Sequence, residues 1–263
     1  MSQRSIVTGA AGGIGLALVE ALLERGHRVL AADLDGERLR EVGQRLGIGT
    51  WAGDVSSEAG IADLIASADA QLGGIDGYFA NAGVFRGAGL AAEEADWAAS
   101  IKVNVMAHVR AARALVPRWS VESPGVFAVT VSAAALLTQL GSPTYAVTKH
   151  AALGFAEWLA ATYGDRGVQV AALCPMGVAT AMAEQGLQTT DPDERSGHRS
   201  VLAAGEMLEP SYVAEVLLRA IDEKRFLALP HEAVGSMYAN KAADPDRWLA
   251  GMEAFRASLE SEG

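Results

Sequence analysis

Cysteine is almost missing from this 263-residue chain. A single residue, Cys174, excludes an internal disulfide and any metal cluster built on thiolates, and fits a reducing compartment. It lies in the apolar run VQVAALC, where a buried strand residue is the expected reading and a nucleophile the alternative. The five histidines show no HxxxH-type ligand spacing, so no metal is expected. Lysine is scarce too: of 21 basic residues only Lys102, Lys149, Lys224 and Lys241 are lysines, and no basic run occurs. With a net charge of −11, this argues against a nucleic-acid or anionic-membrane partner. Long apolar runs are absent as well. The most apolar stretch, VQVAALCPMGVATAMA, is broken by Pro175 and Gly177 and is too short to span a bilayer. The N-terminal MSQRSIVTG enters a short strand rather than a secretory apolar region, so a soluble, cytoplasmic protein is expected.

What is present is a regular alternation. Half of the residues are apolar, enough to bury a large core. Short β-branched runs alternate with helical patterns, which predicts an α/β fold with a parallel sheet covered on both faces. Strands are expected near residues 4–8, 28–33, 49–53, 76–80, 125–131, 168–174 and 226–229, about seven in all. Helices are expected near 14–25, 36–46, 57–71, 94–119, 144–163 and 211–222. No linker or internal repeat divides the chain, so residues 1–263 are read as a single domain.

The first strand-to-helix turn is TGAAGGIG, residues 8–15. Gly9, Gly13 and Gly15 suit a tight turn, close backbone approach to a pyrophosphate, and close helix–strand packing. The N–H groups opening the next helix, Ile14 among them, then face the anion with the helix dipole behind them. Asp33 ends the second strand, where a carboxylate accepts hydrogen bonds from ribose hydroxyls and repels a 2′-phosphate. No cation stands inside the turn or directly after Asp33, which points to NAD rather than NADP. The alternative is that Asp33 caps the helix beginning at Gly36. Asp54-Val55 closes the third strand and suits the adenine edge, or else Asp54 or Ser56 caps the next helix. Asn81, Ala82 and Gly83 end the fourth strand, and small residues there let a cofactor lie against the backbone.

The second constellation runs from Ser132 to Lys149. A hydroxyl is followed thirteen positions later by the phenol of Tyr145 and four later by the amine of Lys149. Pro143 suits the first turn of a helix, on which Tyr145 and Lys149 are i and i+4 and share a face. A phenol has a pKa of about 10, and an adjacent ammonium favours the phenolate. Bringing it near neutrality takes about 3–4 kcal/mol, within reach of a close cation in a partly dry pocket. That pair specifies a general acid/base, although Tyr and Lys at this spacing also occur by chance.

Taken in order, these motifs resemble the short-chain dehydrogenase/reductase family over roughly residues 4–230. The family's TGxxxGxG is TGAAGGIG here, and its NAG motif is Asn81-Ala82-Gly83, with Ala80 where an Asn is common. Asn104 in IKVNVMAH, Ser132, Tyr145 and Lys149 match its active-site set. The resemblance implies a doubly wound (Rossmann-type) parallel sheet and direct hydride transfer without a metal. It implies that Tyr145 exchanges the substrate proton, Ser132 donates to the substrate oxygen, and Lys149 binds the nicotinamide ribose. Asn104 would order a water in a proton relay. The loop PGxVxT reads Pro175-Met176-Gly177-Val178-Ala179-Thr180, so Val178 and Thr180 would contact the carboxamide while Met176 replaces the usual Gly.

The resemblance also implies a substrate lid over about residues 181–209. Met182 and Leu187, with Phe85, Ala134, Leu136 and Leu137, suggest an apolar pocket, while Arg86, Arg195 and Arg199 are cations that would suit an anion. A helical tail over about 244–260 carries Trp248, Met252, Phe255 and Leu259 as a helical stripe that must be buried, on its own subunit or a neighbour. Family members often form tetramers, so a homotetramer is expected, with a dimer as the alternative. The function implied is NAD-dependent interconversion of a secondary alcohol and a ketone, probed by a small, largely apolar substrate. An NADPH-dependent biosynthetic ketoreductase is the rival reading, and a non-catalytic NAD-binding regulator the other.

Overall fold

In a computed structural model, which describes residues 3–183, 189, 191–203 and 205–261, seven parallel strands form one sheet in the order β3-β2-β1-β4-β5-β6-β7. The strands are β1 (Arg4–Thr8), β2 (Arg28–Asp33), β3 (Gly49–Ala52), β4 (Gly77–Ala80), β5 (Gly125–Thr130), β6 (Val168–Leu173) and β7 (Leu227–Ala228). The helices are α1 (Gly13–Glu24), α2 (Gly36–Leu46), α3 (Glu58–Leu72), α4 (Glu94–Ile101), α5 (Ala107–Leu115), α6 (Ala134–Leu137) and α7 (Pro143–Tyr163). Beyond β6 lie α8 (Pro192–Ala203), α9 (Pro210–Asp222), α10 (Ala233–Ala243) and α11 (Pro245–Ser261).

The strand sequences are apolar at nearly every position because both faces of the sheet are covered. Successive side chains point to opposite faces, and the chain fills two cores accordingly. Ile6, Leu30, Tyr78, Phe127 and Val170 face one core, which α3, α5 and α7 complete. Val7, Val29, Ala31, Phe79 and Ala128 face the other, completed by α1 and α9. Every strand pair is in parallel register, from Leu30 opposite Gly49 to Leu173 opposite Ala228.

Local chemistry sets the helix ends. Asp35 accepts a hydrogen bond from the Arg38 N–H and so caps α2, which ends at Gly47 with φ +67°. Ser57 accepts from the Gly60 N–H and caps α3, which ends at Gly73 with φ +80°. The capping roles considered for Asp33 and for Asp54 or Ser56 therefore belong to Asp35 and Ser57.

The expected strands are all present, within two residues at each end. The expected helix 94–119 is not continuous: α4 passes into a wider π-helical turn over Lys102–Met106, then α5, then a short 3-10 turn over Val116–Arg118. Helices α6, α8 and α10 lie outside the expected helical ranges. Among the described residues no helix is long and apolar enough to cross a membrane. Strand order reverses between β1 and β4, and the crevice outside the carboxyl ends of those strands is where such sheets bind ligands.

Candidate active site

A crevice of about 1530 Å³ runs along these strand ends. Along it stands the start of α7, where the Ser142 side chain accepts a hydrogen bond from the Tyr145 N–H at 3.4 Å and Pro143 occupies the first turn. One turn further on, the almost fully buried Lys149 donates from Nζ to the Thr130 carbonyl at 3.0 Å, at the last residue of β5. Its ammonium lies 5.5 Å from the centre of the Tyr145 ring. Ser132, two residues past β5, takes the Ala134 N–H at 3.1 Å on its hydroxyl oxygen.

The electrostatics differ from the sequence expectation in one respect. Burial raises the Tyr145 pKa above its ordinary value, and the Ser132 hydrogen bond offsets only part of that rise. The lysine sits over the ring face and spends a hydrogen bond on Thr130, so burial outweighs its effect on the phenol. Lys149 responds to the same dry surroundings: burial pushes its pKa down to about 8. Asn104 is fully buried in the π-helical turn, its Oδ1 taking the Val84 N–H at 2.8 Å. Its Nδ2 donates to the Val84 carbonyl at 2.9 Å and to the Thr148 hydroxyl at 3.1 Å. The side chain clamps the Val84 peptide rather than facing the crevice.

The glycine turn lines the same crevice. Gly9 and Gly13 have φ of +66° and +53°, in the region that favours glycine. Gly15 lies behind the turn, where a Cβ would run into the Gly9 carbonyl and the Asn81 amide. Asp33 orders this turn: its Oδ2 takes the Ala11 N–H at 2.9 Å and its Oδ1 the Asp35 N–H at 3.0 Å. Asn81 braces three strands, with Nδ2 donating to the Thr8 carbonyl at 3.0 Å and Oδ1 accepting from the Thr130 hydroxyl at 2.9 Å. Asp54 takes the N–H and hydroxyl of Ser56 and pairs with Lys102 at 3.0 Å; these contacts, Ser56 foremost, hold its pKa below the ordinary carboxylate value.

The loop after β6 closes the crevice from above. The Pro175 carbonyl takes the Ala133 N–H at 2.8 Å, and Val178 bridges to Leu208. Thr180 stands against Gly13, so this loop meets the glycine turn. Of the lid, residues 184–188, 190 and 204 lie outside the described residues, Leu187 among them. Phe85, Ala134, Leu137 and Met182 line the crevice as expected, whereas Leu136 is packed into the core beneath it. Arg86, Arg195 and Arg199 do not line it. Of the sequence-predicted site residues, Gly15 and Asn104 stand behind the wall; the others line it.

The sequence model of the short chain dehydrogenases matches residues 3–191. The chain belongs to that family. Among its relatives, the 1-deoxy-11-beta-hydroxypentalenate dehydrogenase of Streptomyces exfoliatus is 35% identical over 234 residues, covering 86% of this chain and 82% of the relative. The (+)-borneol dehydrogenase 1 of Salvia officinalis is 30% identical, covering 68% of this chain and 71% of its own. Among solved structures, a short chain dehydrogenase/reductase from Burkholderia phymatum in complex with NAD superposes with a TM-score of 0.84 at 26% identity, covering 93% and 94% of the two chains. This short-chain dehydrogenase is therefore an oxidoreductase of the alcohol–ketone type that uses a nicotinamide dinucleotide.

Three features of this dehydrogenase were not found from sequence. The Arg38 guanidinium, from the first turn of α2, reaches to 4.0 Å from where a Gly12 side chain would begin. It brings a cation to the adenosine end of the crevice from outside the motif itself, so the motif gave no signal of it. The buried His231 takes the Met176 N–H on Nδ1 at 3.2 Å, leaving Nε2 to donate to the Glu206 carbonyl at 3.1 Å. It ties the loop carrying Met176 to the end of the lid. Thirdly, the tail helices line the crevice in their own chain, through Trp248, Met252 and Phe255 among others.

Proposed function

We propose that this dehydrogenase interconverts a secondary alcohol and a ketone with NAD, and that Tyr145 exchanges the hydroxyl proton. The observation that carries the reading is that one crevice is lined both by Ser132, Tyr145 and Lys149 and by the glycine turn and Asp33. The turn fits a dinucleotide, since side chains at Gly9, Gly13 or Gly15 would fill the backbone cradle or distort it. Bound NAD supplies the acceptor for the hydride leaving the carbinol carbon. The chain's residues handle the proton: in ketone reduction the Tyr145 O–H, kept protonated by burial, gives its proton to the substrate oxygen, and in alcohol oxidation its phenolate takes that proton back, while Ser132 donates to the substrate oxygen. Lys149 holds positive charge beside the tyrosine and has donor positions left for ribose hydroxyls. Asn104 is a positioning residue that sets the Val84 peptide and, through it, the backbone beside Gly83.

Apolar lining by Phe85, Leu137, Met182 and Phe255 supports a largely apolar substrate. So do the relatives named for a hydroxypentalenate and for borneol. Asp33 supports NAD, since a 2′-phosphate would meet its carboxylate. Arg38 favours the second reading, an NADPH-dependent ketoreductase, because it supplies a phosphate-binding cation near Gly12. Exposed apolar residues on α4 and α7 support self-association, as a homotetramer or a dimer.

The test is reduced-nicotinamide absorbance with a panel of secondary alcohols and ketones, NAD(H) and NADP(H) in parallel. Turnover with NAD should fall by about 10²–10⁴-fold in Tyr145→Phe. NAD binding in that variant should be unchanged. Faster turnover with NADP that collapses in Arg38→Ala establishes the second reading. Full activity in Tyr145→Phe refutes the proton-transfer role and leaves a protein that binds NAD without this chemistry.

A further inference from the structure

We propose that Phe85 is a positioning residue for Tyr145: held in place by His198 of α8, its ring covers the tyrosine and makes the tyrosine's proton exchange depend on α8 being seated. The inference rests on the acid/base reading above and deepens it. Phe85 lies two residues beyond Gly83. Its ring centre is 5.0 Å from that of Tyr145 and 5.5 Å from that of His198, with interplanar angles of 44° and 42°. Both separations fall within the ~4.5–7 Å at which aromatic pairs attract. The loop after β4, α7 and α8 thus contribute one ring each to a cluster on the crevice wall, since all three residues line it.

The chain is fastened on both sides of the middle ring. Before it, Asn104 takes the Val84 N–H at 2.8 Å and donates to the Val84 carbonyl at 2.9 Å. After it, the Thr144 hydroxyl donates to the Arg86 carbonyl, and the Ser142 hydroxyl donates to the Gly87 carbonyl at 2.9 Å. Ser142 and Thr144 open the helix that carries Tyr145, so Phe85 and the tyrosine share one frame. Only the side-chain rotamer of Phe85 is left to be set, and His198 sets it. The imidazole is placed in turn by the seating of α8. Gln139 Nε2 donates to the Gly197 carbonyl at 3.1 Å and to the Ser200 hydroxyl at 3.3 Å. Backbone meets backbone beside this contact. A Cβ on Gly197 would stand 2.8 Å from the Leu140 carbonyl, and one on Gly141 would run into the Asp193 carbonyl.

Cover and lysine act on the tyrosine in opposite directions. Lys149 Nζ, 5.5 Å from the ring centre, favours the phenolate, whereas a ring that excludes water favours the phenol. Burial prevails in the ligand-free protein, where the Tyr145 pKa lies above its ordinary value. The other titratable groups around this pair are His198 from α8, Asp96 of α4 behind Gly87, His108 of α5 and Cys174 after β6. Burial keeps the last two uncharged, with pKa values of about 3 and about 12. Loss of either Phe85 or its support from His198 admits water to the tyrosine and leaves the lysine unopposed.

The experiment is carbon-13 NMR of the full ligand-free chain, with its five tyrosines labelled at the ring carbon that bears oxygen. The Tyr145 signal is the one absent from Tyr145→Phe. Its titration midpoint should fall by about one pH unit or more, a tenfold stronger acid, in Phe85→Ala and in His198→Ala. His198→Phe keeps a ring against Phe85 and should stay within about 0.3 pH unit of wild type. Equal midpoints in wild type and both alanine variants overturn the proposal. So does a shift confined to Phe85→Ala, since α8 would then have no part in it. Should Phe85→Ala fail to fold, the two His198 variants decide alone. Turnover is read separately: in NAD-dependent alcohol oxidation, the rising limb of the pH profile should move with the carbon-13 midpoint. A midpoint that moves under an unmoved rate profile would leave the ring cluster standing and retire Tyr145 as the proton acceptor.

Discussion

At Lys149 the ligand-free protein keeps an amine in surroundings that penalise its charge. The side chain is 3% exposed, and burial brings its pKa from 10.5 down to about 8. Between those values the unfolded chain binds a proton that the folded chain has released, so stability rises as pH increases through about 8. Cys174 acts oppositely at higher pH. Its thiol is pushed up from 9.0 to about 12 by burial, so the folded state keeps a proton that the unfolded state loses above 9.0. Urea denaturation of the ligand-free protein should therefore show stability increasing from about pH 8 to 9, level from 9.0 to 10.5 where the two effects cancel, and falling beyond that. In Lys149→Met the rise should disappear while the fall remains. A wild-type profile that is flat across this range contradicts the burial of a chargeable amine.

At the level of elements, the π-helical turn between α4 and α5 is the feature that puts Asn104 behind the crevice wall. Its side chain satisfies both the N–H and the carbonyl of Val84, one residue past Gly83. Asn104→Ala should cost about 1–3 kcal/mol in urea unfolding, since two partly buried backbone groups lose their partner. It should also lower turnover more than NAD affinity, because the displaced backbone lies beside Lys149: a Cβ on Gly83 would stand 3.5 Å from its Nζ. Equal loss of both would mean general unfolding rather than local displacement. This turn also marks the limit of what sequence pattern reveals. The strands were legible because two-sided burial leaves apolar runs such as SIVT and VQVAAL between turn residues. Tyr145, Lys149 and the glycine turn were legible because their spacing is local. Residues 233–243, AVGSMYANKAA, mix small and polar residues with no clear apolar stripe, so helix α10 left little trace. Arg38 and His231 act across long gaps, on Gly12 and Met176, and no local pattern signals such contacts.

For the whole molecule, the arrangement of apolar surface bears on assembly. Ile101 at the end of α4 is 43% exposed, and Val147 and Trp158 on α7 are 51% and 53% exposed. Trp158 is already held by Phe155 and Tyr163, at ring separations of 6.0 Å and 5.8 Å, so covering it costs little side-chain freedom. Large apolar groups held rigid on adjacent packed helices suit an isologous contact between copies. Each copy carries a net charge of −11, so association should strengthen as salt screens the repulsion. Light scattering should give an oligomer at physiological salt, and Val147→Glu with Trp158→Glu should give monomers. A wild-type protein that is monomeric at every salt concentration would show that the α4–α7 face serves something other than self-association.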